Sequence, residues 1–282
     1  MAKGIQGIMK ITSVNNDLVK ETAKLLRGKY RDETGLFLIE GEKGVNEAIQ
    51  AGVDIEYIFV LEGINLRHCE ECNDEASQCN TMLDCHASSE VCNDSFKIIE
   101  TTEAVLSKIS DAKSAPKVVA VAHQVPQNLE TIKKAKRVIL LEGIKDAGNL
   151  GTILRTASAF GFDGIILYGD TVDLYNPKCV RSTVGCLWKI PVIKIENFEE
   201  LKTTFSSFER VATLPAGENI IKLEDYTPSE KVLVMFGSEA DGLSEELKDF
   251  ATKNVTIEMA ENVESLNLSI SVGVVTYKLK QV

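Results

Sequence analysis

The chain has 282 residues, of which 44% are hydrophobic and 26% are charged, a balance typical of folded globular proteins. No run of about 18 apolar residues is present, and the segment MAKGIQGIMK lacks the apolar stretch of a signal peptide. We therefore expect a cytoplasmic protein without a membrane segment and, from the length, two domains.

The formal net charge of −11 argues at first against a nucleic-acid partner, because binding phosphates requires a positive surface. The charge is unevenly distributed, however. Residues 1–31 contain seven Lys or Arg against two acids, whereas residues 61–95 contain one Arg against eight acids. One acidic segment therefore supplies most of the negative charge, and a basic stretch near the N-terminus remains available for RNA.

The acidic segment also holds five of the seven cysteines, together with two histidines. Cysteine pairs at CxxC spacing are typical of zinc sites. This segment has one such pair and no second close pair, so we favour an acidic insertion at about residues 65–95 that carries no metal, with a zinc site as the alternative. The residues concerned are His68, Cys69, Cys72, Cys79, Cys85, His86 and Cys92.

Alternating apolar and polar patterns predict a small α/β domain over residues 1–122, interrupted by the insertion. The predicted elements are a helix at Leu18–Leu26, a turn-like stretch RGKYRDETG, a strand LFLIEG, a helix at Val45–Ala51, a strand EYIFV and then strand, helix and strand from FKIIE to VAVAHQ.

Residues 123–136 are predicted to be a linker with a short helix, and residues 137–282 to be a second domain. In this domain strands alternate with helices, which predicts a parallel sheet covered on both faces. The predicted strands are VILLEG, GIILYG, LWKIPVIKI, RVATLP, VLVMFG and NVTIEM.

The stretch EGIKDAGNLGTILRTASAFGFDGIILYG places a helix between two apolar strands. We expect Asn149 to cap this helix and Arg155 to lean back over GNLG, so that the positive helix end and the guanidinium favour an anion. The alternative is a capped helix with a solvated arginine. The predicted buried stripe is Leu150, Ile153, Leu154 and Ala157.

The stretch VLVMFGSEADGLSEEL predicts a strand that ends at Gly237 and a helix that Ser244 caps. The loop between them has more glycine than a plain turn requires, which favours a ligand at the carboxyl end of the strand. The pattern is not GxGxxG, so a dinucleotide is disfavoured. Glu239 is either a ligand-facing acid or an ordinary surface acid.

The stretch NVTIEMAENVESLNLSISVGVVTYKL spaces Ser265, Ser269 and Gly273 four apart. This spacing predicts a helix face of small residues that a second backbone approaches closely, with ordinary packing as the alternative. Asn267, near the helix start, is either a cap or a donor to a ligand.

These three stretches, in this order, resemble the three sequence motifs of the SpoU (TrmH-like) RNA ribose 2′-O-methyltransferases of the SPOUT class. The front half, with RDETGLFLIEGEKGVNEAIQAG, resembles the ribosomal-protein-like substrate-binding domain often fused ahead of the catalytic one. The resemblance implies an α/β chain: a C-terminal parallel-sheet domain with a trefoil knot, and a smaller N-terminal α/β substrate-binding domain. It also implies S-adenosylmethionine as the cofactor, RNA as the substrate and a homodimer.

Carried over by motif, the resemblance implies two groups of site residues. The reactive group is Asn149, Arg155, Glu239, Ser265 and Asn267, with Arg155 reaching a cofactor bound mainly by the other subunit. The cofactor group is Thr213, Gly237, Ile257, Met259 and Leu266. The sequence departs from the family pattern at Glu258, where proline is frequent, and at Glu261, where glycine is frequent.

For the mechanism, we expect Arg155 to remain charged, since a guanidinium resists deprotonation. It would grip the adjacent phosphate and stabilise the developing alkoxide, while the proton passes to phosphate or water. The front domain is expected to hold folded RNA through the basic residues Lys24, Arg27, Lys29 and Arg31.

The front domain favours 23S ribosomal RNA as the substrate. Two alternatives remain open at this point: a transfer RNA ribose methyltransferase, and a non-catalytic RNA-binding or ribosome-assembly protein of the same fold.

Overall fold

The computed structural model describes residues 9–64, 96–260, 262–263 and 265–280. The cysteine-rich segment and Glu261 lie outside the described residues, so the prediction of an insertion without metal stays a prediction. The chain forms two compact units. The first comprises Met1–Val125 and Tyr175–Gly185, and the second comprises Pro126–Leu174 and Cys186–Val282.

The first unit is built on a five-stranded sheet in the order β1-β4-β3-β5-β2, in which β5 runs antiparallel to β2 and β3 and the other pairs are parallel. The N-terminal elements are β1 (Met9–Ile11), α1 (Asp17–Lys24), α2 (Gly28–Thr34), β2 (Leu36–Glu40), α3 (Glu42–Gln50), β3 (Ile55–Leu61), β4 (Lys97–Thr101), α4 (Glu103–Lys108) and β5 (Val118–His123).

The stretch RGKYRDETG, which we predicted to be turn-like, contains helix α2, so that prediction is wrong. Gly28 opens the helix and Gly35 closes it in the left-handed conformation, at φ 67°. The buried Arg31 donates to the carbonyl oxygen of Leu25 at 2.7 Å and so ties α2 to the end of the preceding helix. The glycines therefore mark the ends of a short helix rather than a loop.

The second unit contains a seven-stranded sheet in the order β10-β12-β9-β11-β6-β7-β8, and every pair in it is parallel. Its elements are α5 (Leu129–Lys133), β6 (Arg137–Glu142), α6 (Ala147–Ala159), β7 (Gly164–Tyr168), a 3-10 turn (Cys186–Trp188), β8 (Val192–Ile195), α8 (Phe198–Thr204), β9 (Glu209–Thr213), β10 (Ile221–Lys222), β11 (Val232–Phe236), α9 (Glu245–Phe250), β12 (Lys253–Thr256) and α10 (Leu268–Lys280). One further helix, α7 (Pro177–Thr183), belongs to the first unit.

The parallel sheet that the sequence predicted is confirmed, and strands β6, β7 and β11 are almost entirely buried, as expected of a sheet covered on both faces. The predicted strand LWKIPVIKI is too long, since only Val192–Ile195 is extended and Cys186–Trp188 forms a 3-10 turn. Pro191 separates the two parts because it has no backbone N–H to donate to a strand ladder. The trefoil knot stays a prediction.

Helix α7 packs in the first unit through an aromatic pair and a partly buried ion cluster. The ring of Tyr175, just before α7, lies 4.6 Å from the ring of Phe37 in β2. Arg181 is 2.6 Å from the carboxylate of Glu40, whose side chain is 1% exposed, and is also bonded to Asp111. A segment that follows β7 in sequence is therefore structurally part of the N-terminal unit.

Among the described residues, no helix is long and apolar enough to cross a membrane.

Candidate functional site

The candidate site lies at the carboxyl edge of the seven-stranded sheet. Strands β12, β9, β11 and β6 are consecutive neighbours and parallel, so the residues that follow them emerge side by side. The chain progresses from β6 to β7 and β8 on one side and then returns to β9 and β11 on the other. Such a reversal of strand order creates a crevice at the carboxyl ends, where ligands of open α/β sheets bind.

Helix α6 follows β6 and begins three residues earlier than a cap at Asn149 would place it. Asp146 is the N-cap, because its carboxylate accepts a hydrogen bond from the backbone N–H of Asn149 at 2.8 Å. The prediction that Asn149 caps the helix is therefore wrong, since Asn149 already lies in the first turn. The predicted buried stripe is confirmed, and all four of its residues are fully buried: Leu150, Ile153, Leu154 and Ala157.

This change of cap leaves the side chain of Asn149 available for other bonds. Its Nδ2 donates to Glu239 Oε1, and its Oδ1 accepts from Asn267 Nδ2 at 3.2 Å. Asn149, Glu239 and Asn267 come from the three separate motifs, so the structure brings together three of the five residues predicted to be reactive. Glu239 is exposed, but it is bonded across the site rather than being an isolated surface acid.

Asn267 is a cap, the first of the two alternatives that its sequence position allowed, and it also bonds to Asn149, while its role as a donor to a ligand stays a prediction. Its Oδ1 accepts from the backbone N–H of Ser269 at 2.9 Å and from the Ser269 hydroxyl at 2.6 Å, and its carbonyl oxygen accepts from Ile270 and Ser271. These bonds cap α10, while Nδ2 remains free to reach Asn149. The cap thus orients the residue for its second role.

Ser265 is placed differently from its prediction. Helix α10 begins at Leu268, so Ser265 precedes it and does not share a helical face with Ser269 and Gly273. Gly273 does face another helix, since a Cβ built on it would lie 3.8 Å from the side chain of Thr156 in α6. Among the described residues, Ser265 makes no side-chain hydrogen bond to the other predicted reactive residues.

The loop that carries Glu239 is tightly closed. Ser238 and Gly242 pair across it, with the backbone N–H of Gly242 donating to the Ser238 carbonyl at 3.0 Å. Gly237 lies so close to this pair that a Cβ on it would overlap the backbone of Gly242. A side chain at position 237 would therefore force the loop open, which explains the glycine.

The end of this loop is held by two residues that the sequence reasoning missed. Glu142, the last residue of β6, accepts from the backbone N–H of Ser244 at 2.7 Å. Its register neighbour Tyr168 donates to Glu246 at 2.8 Å, and burial, reinforced by that carboxylate, raises the pKa of Tyr168 to about 12. Ser244 itself caps α9, as predicted. No spacing rule links a strand end to a helix about 100 residues later, so sequence alone carried no signal.

The predicted cofactor residues lie after neighbouring strands. Thr213 ends β9 and donates its hydroxyl to the carbonyl of Met235 in β11 at 2.8 Å. Gly237 directly follows β11, Ile257 and Met259 follow β12, and Leu266 precedes α10. Met259 is 37% exposed, a high value for a large apolar side chain and one typical of binding surfaces. These positions converge on one end of the sheet.

Position 258, where the sequence departs from the family pattern, carries an ion pair. Glu258 lies 2.7 Å from Lys222 of β10, and this hydrogen bond lowers the pKa of the Glu258 carboxyl. The two-residue strand β10, which the sequence reasoning missed, pairs with β12 immediately before Glu258. A salt bridge to a neighbouring strand therefore restrains the chain where proline would do so by its fixed φ.

Arg155 is not joined to the other reactive residues. It lies on the exposed side of α6, six positions after Asn149, which separates the two by about 120° around the helix axis and about 9 Å along it. It makes no hydrogen bond or ion pair within the described part of the chain. The stretch GNLG, which we predicted to be a loop, is itself helical, and the position of the guanidinium over it stays a prediction.

The basic residues predicted to bind RNA separate into two classes. Lys24 is bonded to Glu21 at 2.7 Å, Lys29 lies 3.8 Å from Glu33, and both remain exposed or half-exposed, as does Arg27. Arg31 is 2% exposed and its guanidinium is bonded within the first unit. Arg31 therefore stabilises the unit and is withdrawn from the predicted RNA surface.

Comparison with known families supports the division into two units. A family model described as the SpoU rRNA Methylase family matches residues 136–277. A second model, described as the MRM3-like substrate binding domain, matches residues 16–120.

Individual proteins match along almost the whole chain. A protein of Bacillus subtilis named 23S rRNA (guanosine(2553)-2′-O)-methyltransferase RlmP is 29% identical over 96% of this chain and 99% of its own length. An uncharacterised tRNA/rRNA methyltransferase of Synechocystis is 31% identical over 97% and 94%. The crystal structure of an AdoMet-bound rRNA methyltransferase from Sinorhizobium meliloti matches with a TM-score of 0.80 and 28% identity, covering 97% of this chain and 98% of that one.

Proposed function

This chain belongs to the SpoU rRNA methylase family, and we propose that it transfers a methyl group from S-adenosylmethionine to a ribose 2′-hydroxyl of 23S ribosomal RNA. One observation carries the proposal. The Asn267–Asn149–Glu239 chain joins the three motifs at the carboxyl edge of a parallel sheet. Relatives named as 23S rRNA 2′-O-methyltransferases, together with the AdoMet-bound neighbour, support the substrate and the cofactor.

The described residues fit S-adenosylmethionine. We propose that Thr213, Gly237, Ile257, Met259 and Leu266 hold it, because the first four end or follow adjacent strands on one side of the sheet and Leu266 adjoins Asn267 of the polar chain. The exposed Met259 and half-buried Ile257 offer apolar surface to an adenine ring. The closed loop at Gly237 offers backbone groups at close approach. When bound, the cofactor supplies a methyl group on a positively charged sulfur.

With the cofactor bound, the protein would have to hold the ribose oxygen in a fixed position next to the methyl group, because placement of the reacting groups supplies much of the rate. We propose that Asn149, Glu239, Ser265 and Asn267 shape this position. Arg155 stays charged, grips the adjacent phosphate and stabilises the developing alkoxide, while the proton passes to phosphate or water. Its exposed position on α6, without a partner among the described residues, leaves the guanidinium available to a substrate.

A homodimer is part of the proposal. Ile270, Val274 and Tyr277 form an apolar stripe along α10, at 53%, 39% and 53% exposure. These positions are four and three apart and therefore lie on one face of the helix. A second copy of the chain would cover this stripe, and in such an assembly the Arg155 of one subunit would complete the site of the other.

The first unit supports an RNA substrate. Its match to a substrate-binding family covers most of the unit, and Lys24, Arg27 and Lys29 give it exposed positive charge near α1 and α2. An RNA substrate also agrees with the cytoplasmic location expected from the sequence. The relatives named as 23S rRNA enzymes favour ribosomal over transfer RNA.

The test compares three properties of the purified chain. Calorimetry measures S-adenosylmethionine binding, and transfer of labelled methyl groups is measured on 23S rRNA and on total transfer RNA. Mapping of ribose methylation in cells with and without the protein then locates the nucleotide. We expect binding, transfer to 23S rRNA and loss of one ribose methyl group in the deletion strain. A chain that binds RNA but not the cofactor would instead be a non-catalytic RNA-binding protein. Methyl transfer to transfer RNA alone would identify a transfer RNA ribose methyltransferase.

Glu239→Gln provides the matching variant, and Glu218→Gln the control. Both glutamates are exposed, and only Glu239 belongs to the polar chain. We expect the first substitution to abolish most methyl transfer and the second to leave it unchanged.

A further inference from the structure

The hydrogen bonds at the start of α10 have a definite direction. The backbone N–H of Ser269 can only donate, so the Asn267 atom facing it, at 2.9 Å, must be the carbonyl oxygen Oδ1. The Ser269 hydroxyl, at 2.6 Å from the same atom, must then donate to it as well. Asn267 is thereby compelled to present its NH₂ group on the other side.

This direction passes to the next two residues. Asn267 Nδ2 faces Asn149 at 3.2 Å, so Asn149 must offer Oδ1 to it. Asn149 then has Nδ2 on its far side, where it donates to Glu239 Oε1. A primary amide has one acceptor end and one donor end, so reversing any member would set two acceptors or two donors against each other.

We propose that Ser269, Asn267 and Asn149 form a one-way polar relay that fixes Glu239 as the terminal acceptor, with Ser269 and Asn267 acting as positioning residues. The proposal rests on the proposed function, since it assigns Glu239 the task of meeting the substrate or cofactor. Within the described residues, Glu239 Oε1 takes the Asn149 bond and no donor reaches Oε2. The relay thus orients one oxygen of the carboxylate and leaves the other for a ribose hydroxyl group.

The Asn267→Asp substitution distinguishes the role of Asn267 as a donor to Asn149 from its role as a helix cap. Aspartate is as good an N-cap as asparagine, and its oxygen can still accept both bonds from Ser269. It cannot donate to Asn149, however. If capping were the only role of Asn267, this substitution would leave the protein unchanged.

The decisive measurement is a thermal-unfolding cycle, which needs no methyl transfer. We expect Asn267→Asp to lower Tm by about 2–4 °C, because two oxygens then face each other in the relay. Glu239→Gln alone should change Tm little, because the glutamine oxygen can still accept the bond from Asn149. In the double variant the relay can run in reverse, because Asn149 can donate to the carboxylate at position 267 and accept from the amide at position 239. We therefore expect the double variant to recover most of the loss.

Asn267→Asp combined with Glu239→Ala is the control for simple charge repulsion. It also removes the carboxylate at position 239, but alanine cannot donate to Asn149. Recovery with glutamine and not with alanine supports the relay. Equal recovery of Tm in the glutamine and alanine double variants would overturn the relay. So would a glutamine double variant whose Tm stays as low as that of Asn267→Asp alone.

Activity gives a second reading. All four position-267 and position-239 variants are expected to lose methyl transfer at least about ten-fold, including the double variant whose Tm recovers.

Ser269→Ala should lower kcat by about three- to ten-fold through the lost hydroxyl bond, with cofactor KM unchanged. Ser269→Thr should restore the rate, and Ser271→Ala on the same helix should have no effect. A rise in cofactor KM with unchanged kcat would contradict the positioning role. If wild-type methyl transfer itself were absent, the thermal cycle would still decide the relay.

Discussion

Asn149 and Asn267 are 118 positions apart in sequence and are neutral side chains, yet they connect the three motifs. An asparagine suits this task because it donates at one end and accepts at the other, so a series of them transmits orientation from a backbone N–H. Arg155 differs in having no such connection among the described residues. At the residue scale, the second unit therefore contains a prearranged polar group and an exposed arginine that has no partner in the described part of the chain.

Arg155→Lys tests what the arginine does. A lysine keeps the positive charge and can still hold a phosphate, but it lacks the planar fork of a guanidinium. We expect kcat in single-turnover assays to fall about ten-fold for lysine and about 10²- to 10³-fold for alanine. Equal loss in both variants, with cofactor and RNA binding intact, would contradict electrostatic stabilisation by a charged Arg155.

Glu209 predicts a pH dependence of stability. Burial alone would raise its pKa, but hydrogen bonds from the Ser229 backbone N–H at 2.9 Å, the Tyr226 hydroxyl at 2.8 Å and Lys253 lower it below the usual 4.5. A lowered native pKa adds stability that is present above pH 4.5 and is lost as the pH falls through the native value.

We therefore expect Glu209→Gln to cost about 1–3 kcal/mol of unfolding free energy at pH 7, and this difference from wild type to shrink as the pH falls below 4.5. Urea unfolding at several pH values measures the difference. The exposed Glu218→Gln is the control, with little effect at any pH. A difference for Glu209→Gln that stays constant with pH would refute the linkage.

At the scale of elements, helix ends decide how the second unit is assembled. Arg210 in β9 donates through Nε to the carbonyl of Phe250 at 2.9 Å, and through Nη1 to those of Phe208 and Ser206 at 3.1 and 3.2 Å. Its guanidinium also lies 4.7 Å from the centre of the Phe250 ring. One side chain thus satisfies carbonyls at and beyond the ends of α8 and α9, where a helix leaves its last carbonyls without intrahelical partners.

Arg210→Lys should lower the unfolding free energy by about 1–3 kcal/mol, because an ammonium group cannot reach these carbonyls in the same fork. Denaturant melts with the exposed Arg27→Lys as control measure this loss. A similar stability of the two variants would mean that the carbonyls are satisfied without the guanidinium.

The same scale separates what the sequence predicts from what it does not. Apolar strands and the stripe on α6 follow from periodicity, so the parallel sheet and that buried helix face could be predicted. Helix starts were less certain. Asp146 rather than Asn149 caps α6, because several residues of that loop are suitable caps and the choice depends on tertiary packing. The prediction of a turn at RGKYRDETG was wrong for a related reason. The buried Arg31 stabilises helix α2 there, although the local glycine content disfavours a helix.

Candidate site residues were found by motif resemblance, but their bonds were not. Which asparagine faces which carboxylate depends on the order of β6, β11 and β12 in the sheet, and no local pattern encodes that order. Glu142 was absent from the predicted site for this reason. The role of Tyr175–Gly185 in the first unit likewise depends on contacts with Phe37 and Glu40.

At the scale of the whole molecule, the net charge of the chain and the charge of its proposed RNA-binding surface have opposite signs. The chain is acidic overall, so RNA binding must depend on local positive surface rather than on net charge. In the first unit we propose that this surface includes Lys24, Arg27 and Lys29, while the buried Arg31 is removed from the predicted set.

Neutralising these three residues should weaken RNA binding and reduce its salt dependence. Each lost phosphate contact lowers the slope of log K against log salt by about 0.7–0.9. Filter binding at several salt concentrations measures the slope. The control replaces three lysines that are also paired with acids on their own helices, Lys133, Lys202 and Lys248. An equal change of slope in both triple variants would show that the effect is not specific to this surface.

The apolar stripe on α10 and the exposed Arg155, for which the described ranges of the chain offer no partner, lead to one prediction about the assembly. If Arg155 acts in the site of the other subunit, a heterodimer of Arg155→Ala and Glu239→Gln chains contains one intact site. Co-expression with two different tags isolates this heterodimer, and we expect about half of the wild-type rate, although each variant alone is inactive.

The reciprocal heterodimer pairs a wild-type chain with a chain that carries both substitutions. If Arg155 acts in the site of the other subunit, this heterodimer has no intact site and should be inactive. Arg155 acting within its own subunit would reverse both results: the first heterodimer would be inactive and the second would keep about half of the activity. Light scattering of the wild type and of Ile270→Glu with Val274→Glu controls for the dimer itself. A wild-type chain that is monomeric at assay concentration would exclude action of Arg155 in the site of another subunit, and the stripe at Ile270, Val274 and Tyr277 would then face water during catalysis.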